Sequence, residues 1–120
     1  MLIKITKINS LDELDHWGTV EDLGSTILEG NGEAYGKFTL GSPELPINGA
    51  YFGVTKSKFR MTYPFNEQAT IVTGELTLTN EDTGEVTYLI EGDNFIVKKG
   101  TKVLWDISSD FFIKHYLAAL

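Results

Sequence analysis

The 120-residue chain is 42% hydrophobic and 22% charged, which is enough apolar material for one compact core and an ordinary balance for a globular domain. Its 10 basic and 17 acidic residues leave a net charge of -7, which repels nucleic-acid phosphates and anionic lipid head groups, so neither nucleic acid nor a membrane is expected as a partner. Cysteine is absent, and the only two histidines, His16 and His115, lie far apart, which excludes disulfides, thiolate metal sites and thiol nucleophiles by inventory.

No apolar run approaches the roughly 18 residues that a membrane-spanning segment needs. Met1-Leu2-Ile3-Lys4-Ile5 alternates at once and does not build the apolar block of a signal peptide, so a cytoplasmic location is expected. Ile3, Ile5 and Ile8 read as a short strand or arm. Ser10-Leu11-Asp12-Glu13 has the form of a capping box, in which a serine and a glutamate satisfy each other's backbone donors, and predicts a short helix over 11–16. Leu14 and Trp17, at helical spacing, are expected to plug one end of the fold.

Thr26 to Gly30 and Ala34 to Leu40 flank Asn31-Gly32, the dipeptide suited to a tight hairpin, and are predicted to pair with each other. Pro43 and Pro46 then impose a loop, because proline cannot donate to a ladder. Asn48 to Val54 and Lys56 to Tyr63 read as strands, the second with Phe59 and Met61 on one face and Arg60 and Thr62 on the other. Ala69 to Thr79 reads as one long strand whose apolar phase shifts at Gly74, where a bend or bulge would let the sheet curl. Asn80 to Gly84 turns the chain into Glu85 to Ile90, completing a hairpin. Asn94 to Val97, Thr101 to Ile107 and Phe111 to Leu117 follow as further strands between glycine-bearing or polar turns. Many short strands with almost no helical periodicity favour an all-β, closed antiparallel architecture, since closure removes exposed edges. No linker or low-complexity tract interrupts the chain, so a single domain is expected over residues 1–120.

Leu28-Glu29-Gly30, Gly53, Tyr63-Pro64-Phe65-Asn66-Glu67, Gly74-Glu75-Leu76-Thr77-Leu78, Glu91 through Thr101 and Trp105 stand in an order that resembles a known family. It is that of the small single-domain cupins grouped with ureidoglycine aminohydrolase and the ethanolamine-utilisation cupin. The resemblance covers roughly Ile27 to Tyr116. It implies a cupin-type double-stranded β-helix, or jelly-roll barrel, with a short N-terminal helix, and a homodimer bridged by the amino-terminal strand.

The general cupin pattern holds a divalent metal with two histidines and a glutamate from a first motif and a third histidine from a second. Glu67 and Gly74 match the first motif and Gly92 and Gly100 the second, but Arg60, Thr62 and Val103 stand at the histidine positions. A lone carboxylate supplies neither the ligand number nor the imidazole donors of such a site, and a neighbouring arginine would repel a cation. No metal and no other cofactor is therefore expected, and an Arg60–Glu67 ion pair is predicted across the space a metal would fill.

With closure, Arg60, Thr62 and Glu67 are expected on the interior face with Tyr51, Tyr63 and Trp105, a lining of aromatic rings and a few polar groups. An inward arginine suits a carboxylate or phosphate on a ligand. The chain then reads as a metal-free cupin that binds a small polar or anionic metabolite in the barrel. The alternatives are a carbon–nitrogen hydrolase like the aminohydrolase branch, or a structural, dimeric interaction module whose aromatics are plain core, and whether any reaction is catalysed stays open. His115, the group that titrates near neutrality in the last strand, is a further candidate acid or base.

Overall fold

A computed structural model describes residues 1–120. A 3-10 turn, Leu11–Glu13, precedes eleven strands: β1 (Asp15–Thr19), β2 (Thr26–Gly30), β3 (Glu33–Leu40), β4 (Ile47–Thr55), β5 (Ser57–Thr62), β6 (Asn66–Thr73), β7 (Leu76–Asn80), β8 (Val86–Leu89), β9 (Asn94–Val97), β10 (Lys102–Ile107) and β11 (Phe111–Ala119). They form two antiparallel sheets, β1-β3-β4-β11-β6-β9 and β2-β5-β10-β7-β8, that face each other as a jelly roll. No helix is long and apolar enough to cross a membrane.

The chain changes sheet at short, sharply bent corners, and three expectations are corrected there. β2 and β3 do not pair with each other: β2 pairs with β5, and β3 with β1 and β4. A type I′ hairpin needs positive φ at both central residues, whereas Gly32 has φ +59° and Asn31 is not positive, so the dipeptide joins the two sheets instead. The predicted strand from Ala69 to Thr79 is likewise two strands in different sheets, broken at Gly74, whose φ of +89° suits glycine alone. A Cβ at Gly74 would sit 2.4 Å from the Phe111 carbonyl oxygen, so the corner is closed to larger residues. The capping box of Ser10 and Glu13 forms as expected, but its helix is only the 3-10 turn, because Asp15 and His16 are already paired with β3. The β7–β8 hairpin forms in the predicted place.

The period-2 alternation of the central strands builds the core. Phe59 on β5, Ile71 on β6, Leu76 on β7, Trp105 and Ile107 on β10 and Phe112 on β11 are at most 1% exposed and belong to one cluster between the sheets. A second, smaller cluster lies on the outer face of the first sheet, where Leu14, Tyr51, Val72 and Ile113 meet Ile8 and Leu11 of the N-terminal arm. Leu14 therefore covers the back of a sheet and does not plug an end. Trp17 does pack against the main core, stacked on Phe38 at 5.3 Å and lying over Gly36, where a Cβ would meet the indole at 2.2 Å.

Candidate functional site: a buried lysine–glutamate pair beneath an aromatic cavity

The inward phase of β11 reads Phe112, Lys114, Tyr116, Ala118, and it places a lysine where the alternation calls for an apolar side chain. On the neighbouring strand β6, Glu67 also points inward. The register sets Ala118 opposite Glu67 and Lys114 opposite Ile71. Lys114 reaches along the sheet to bring its Nζ to 2.7 Å from Glu67 Oε2, with the two side chains 5% and 2% exposed. The Tyr63 hydroxyl, just past the end of β5, donates to the same oxygen at 3.1 Å. An ionised carboxylate that accepts from an ammonium and a phenol is well satisfied, which buried charge requires.

Aromatic rings surround the ammonium. The centroids of Trp105, Tyr116, Phe52, Phe95 and Tyr63 lie 4.7, 5.3, 5.4, 5.8 and 5.9 Å from Nζ, within the range at which a π face attracts a cation. Burial nevertheless pulls the Lys114 ammonium below the usual lysine range, against the opposing charge and hydrogen bond of Glu67. Burial and then the Glu67 charge raise the Tyr63 phenol well above the usual tyrosine value and push Tyr116 up to about 12, so both stay protonated at neutral pH.

Above this floor opens a cavity of about 510 Å³, walled by Trp17, Phe52, Phe59, Met61, Phe65 and Tyr116, with Lys114, Glu67, Tyr63 and Trp105 also lining it. The Trp105 Nε1–H is the one buried side-chain donor without an acceptor. A buried donor left unpaired costs on the order of 1–3 kcal/mol. The indole nitrogen has no accessible surface, and its polar influence falls on the neighbouring Tyr63 hydroxyl and not on the cavity.

Of the six residues expected at the site, Tyr63, Glu67 and Trp105 are brought together in this cavity. Thr62 reaches its rim with its side chain largely in solvent. Arg60 is elsewhere. Its guanidinium donates from Nε and Nη2 to the two carboxylate oxygens of Glu81, each at 3.1 Å, on the outer surface, and the predicted Arg60–Glu67 pair does not exist. The alternation within β5 is as expected, but the inward face is that of Phe59 and Met61. Tyr51 lies on the outer face of the first sheet, where its hydroxyl accepts from Thr6 N at 2.8 Å and donates to Thr6 O at 3.0 Å, tying down the arm. His115 shares that outer face. Its Nε2 lies 2.7 Å from Thr39 Oγ1 and burial lowers its pKa, but it does not line the cavity. Sequence reasoning does not single out Lys114; its place in the apolar phase of β11, between Phe112 and Tyr116, is the signal that finds it.

The model of the EutQ-like cupin domain matches residues 41–116. The chain belongs to this family. No curated protein matches the sequence significantly. Among solved structures, the EutQ protein of Clostridium difficile superposes with a TM-score of 0.61 at 18% identity, over 72% of this chain and 68% of that one. A protein of unknown function from Rhizobium leguminosarum bv. viciae 3841 superposes with a TM-score of 0.62 at 15% identity over 98% of both chains. A cupin superfamily protein from Desulfitobacterium hafniense DCB-2 does so at 0.61 and 12% identity, over 78% and 84%. At these identities the likeness establishes the cupin jelly roll and nothing finer.

The residues of this EutQ-like cupin do not fit the metal its fold can carry. No three His, Cys, Asp or Glu side chains of the chain come together as a cation would need, and Glu67 is committed to Lys114 and Tyr63. Met61 of β5, Tyr63 just past its end and Val103 of β10 are the inward residues on this side of the barrel, and none of them is a usual ligand for a divalent metal.

Proposed function

We propose that this EutQ-like cupin binds a small, uncharged, partly aromatic molecule in the cavity above Lys114 and Glu67, without a metal. One observation carries the reading: a cavity of about 510 Å³, walled mostly by aromatic rings, whose floor holds a neutralised ion pair. Such a lining matches the general form of small-molecule sites, mostly apolar with a few fixed polar groups. The expectation of an anionic ligand loses its support with Arg60 on the outer surface, because Lys114, the cation that does line the cavity, is already balanced by Glu67.

The carbon–nitrogen hydrolase reading draws on metal polarisation of the substrate, for which the donor set offers no place. An interaction module whose cavity is mere packing remains the competitor. A thermal-shift series separates the two, since a ligand that binds only the folded state stabilises it. Benzamide and benzyl alcohol are expected to raise the melting temperature and benzoate to leave it unchanged, and Met61→Trp, which fills the cavity, is expected to abolish the rise. A larger shift with benzoate than with benzamide would show that the site recognises anions, and no shift with any of the three would leave the interaction module standing.

A further inference from the structure

Lys114 is an amine withdrawn from water among aromatic rings, beside a proton acceptor and at the floor of a cleft. Its Nζ has one hydrogen-bond partner, Glu67 Oε2 at 2.7 Å, and five aromatic rings around it, and the side chain lines a cavity large enough for a small molecule. Neither binding nor folding alone explains the pair, because well-packed apolar residues in place of a buried ion pair often give equal or greater stability. A lysine desolvated in an apolar pocket is, however, a recurring form of activated nucleophile toward carbonyl carbon.

We propose that Lys114 forms an imine with a small, uncharged, largely apolar aldehyde admitted to this cavity, an inference that rests on the ligand-binding reading above. The ammonium first passes a proton to the Glu67 carboxylate across the 2.7 Å contact, leaving a neutral amine and a carboxylic acid. The nitrogen lone pair attacks the carbonyl carbon, the C=O π pair moves to oxygen, and a proton relayed from nitrogen through Glu67 gives the carbinolamine. A second proton from the Glu67 acid lets the hydroxyl leave as water while the nitrogen lone pair closes the C=N bond. The products are the protonated imine, the Glu67 carboxylate and one water, so charge is conserved and nothing is oxidised or reduced. The new cation stays opposite Glu67 and among the same rings, and the pair that holds the floor together is kept.

The surroundings suit each part of this step. Burial lowers the Lys114 pKa and so raises the fraction of amine that is neutral. Tyr63 stays protonated and continues to donate to Glu67, which holds the carboxylate in place. Trp105, whose ring centroid is 4.7 Å from Nζ, contributes the nearest of the five aromatic faces that would hold the cationic imine. Anions gain nothing here, while an uncharged carbonyl compound with an apolar body loses little on leaving water.

Reductive trapping tests the proposal. The wild-type protein is incubated with benzaldehyde and sodium cyanoborohydride at neutral pH, and the N-benzyl adducts are located by peptide mass mapping. Lys114 is expected to be labelled at least tenfold faster than the exposed Lys98 and Lys99. Label confined to the surface lysines, or spread evenly, overturns the imine. Benzyl alcohol, which has the same ring and no carbonyl carbon, keeps the two readings apart. If it stabilises the fold while Lys114 stays unlabelled, the cavity binds ligands and the imine falls; if it does neither, both fall. Glu67→Gln, checked for folding by circular dichroism, is expected to slow labelling of Lys114 by tenfold or more without slowing that of Lys98. The wild-type map decides the question even if that variant does not fold.

Discussion

Lys114 Nζ and Glu67 Oε2 are 2.7 Å apart between side chains that are almost wholly withdrawn from water, so the two charges depend on each other. Removing one partner from such a pair leaves the other buried and unpaired, at a cost of about 3–5 kcal/mol, whereas replacing both with apolar residues can be neutral or better. Lys114→Met and Glu67→Leu are each expected to lower stability by about that amount. The double variant should recover most of the loss, short of the 1–3 kcal/mol or so due to the Tyr63 hydroxyl, whose acceptor is gone. Urea denaturation of the four proteins measures the coupling. Additive losses would show that the pair does not act as a unit.

Arg60 is bound to Glu81 by two hydrogen bonds of 3.1 Å, but its side chain is 51% exposed. Surface ion pairs of this kind contribute about 0–1 kcal/mol. Arg60→Ala is expected to lower stability by no more than that and to leave the benzamide-induced rise in melting temperature unchanged. A lost thermal response in this variant would place the ligand on the outer face of β5, contrary to the cavity described above.

Most of the strands were legible because one of their faces is apolar and the other polar. β5, β7 and β10 show this alternation, and the glycines that mark the corners have positive φ in the structure. What was not legible follows from the places where period 2 carries no sign. The alternation of β5 is as expected, yet Arg60 and Thr62, which stand at the histidine positions of the cupin pattern, lie on its outer face, because the match to that pattern spans the turn Tyr63-Pro64-Phe65. A turn does not transmit parity, and a slip of one residue exchanges the two faces of a strand. Phe59 and Met61 already marked the inner face. β4 gave no such mark: Ala50-Tyr51-Phe52 is apolar in both phases, because the arm buries the outer face of this sheet as well, and Tyr51 was placed on the wrong side for that reason. The pairing of β2 with β5 is set by the closure of the jelly roll, which a two-residue turn signal does not encode.

Tyr51 is joined to Thr6 by a donor and an acceptor bond, and the arm is held further by Thr73 Oγ1 donating to Ile8 O and by Lys7 to Glu91 at 2.9 Å. Tyr51→Phe keeps the ring in the outer cluster and removes both Thr6 bonds, so the arm should open more often while the barrel stays folded. Amide hydrogen exchange at Thr6, whose N–H donates to the Tyr51 hydroxyl, is expected to rise by tenfold or more, with β10 and β11 unchanged. Equal acceleration in β11 would mean that the arm and the barrel open as one unit.

Alkaline pH should weaken the fold through the tyrosines that face Glu67. Tyr116 is raised from 10.0 to about 12 by burial and by the Glu67 charge, and Tyr63 is shifted in the same direction. Between pH 10 and 12 the unfolded chain has lost these protons while the folded protein keeps them. The folded state then binds more protons, and stability falls as pH rises through that window, having been fully present below it. Lys114 acts with the opposite sign: its folded value lies below 10.5, so the unfolded chain binds more protons there, and its contribution rises with pH until the unfolded lysine also discharges near 10.5. Above about pH 10.5 the tyrosine contribution acts alone. Melting temperatures measured from pH 9 to 12 should therefore decline most steeply above 10.5, and Tyr116→Phe, which has no proton to lose, should decline less steeply than the wild type. Parallel curves for the two proteins would mean that Tyr116 ionises as readily in the fold as out of it, and that the Glu67 charge does not reach it.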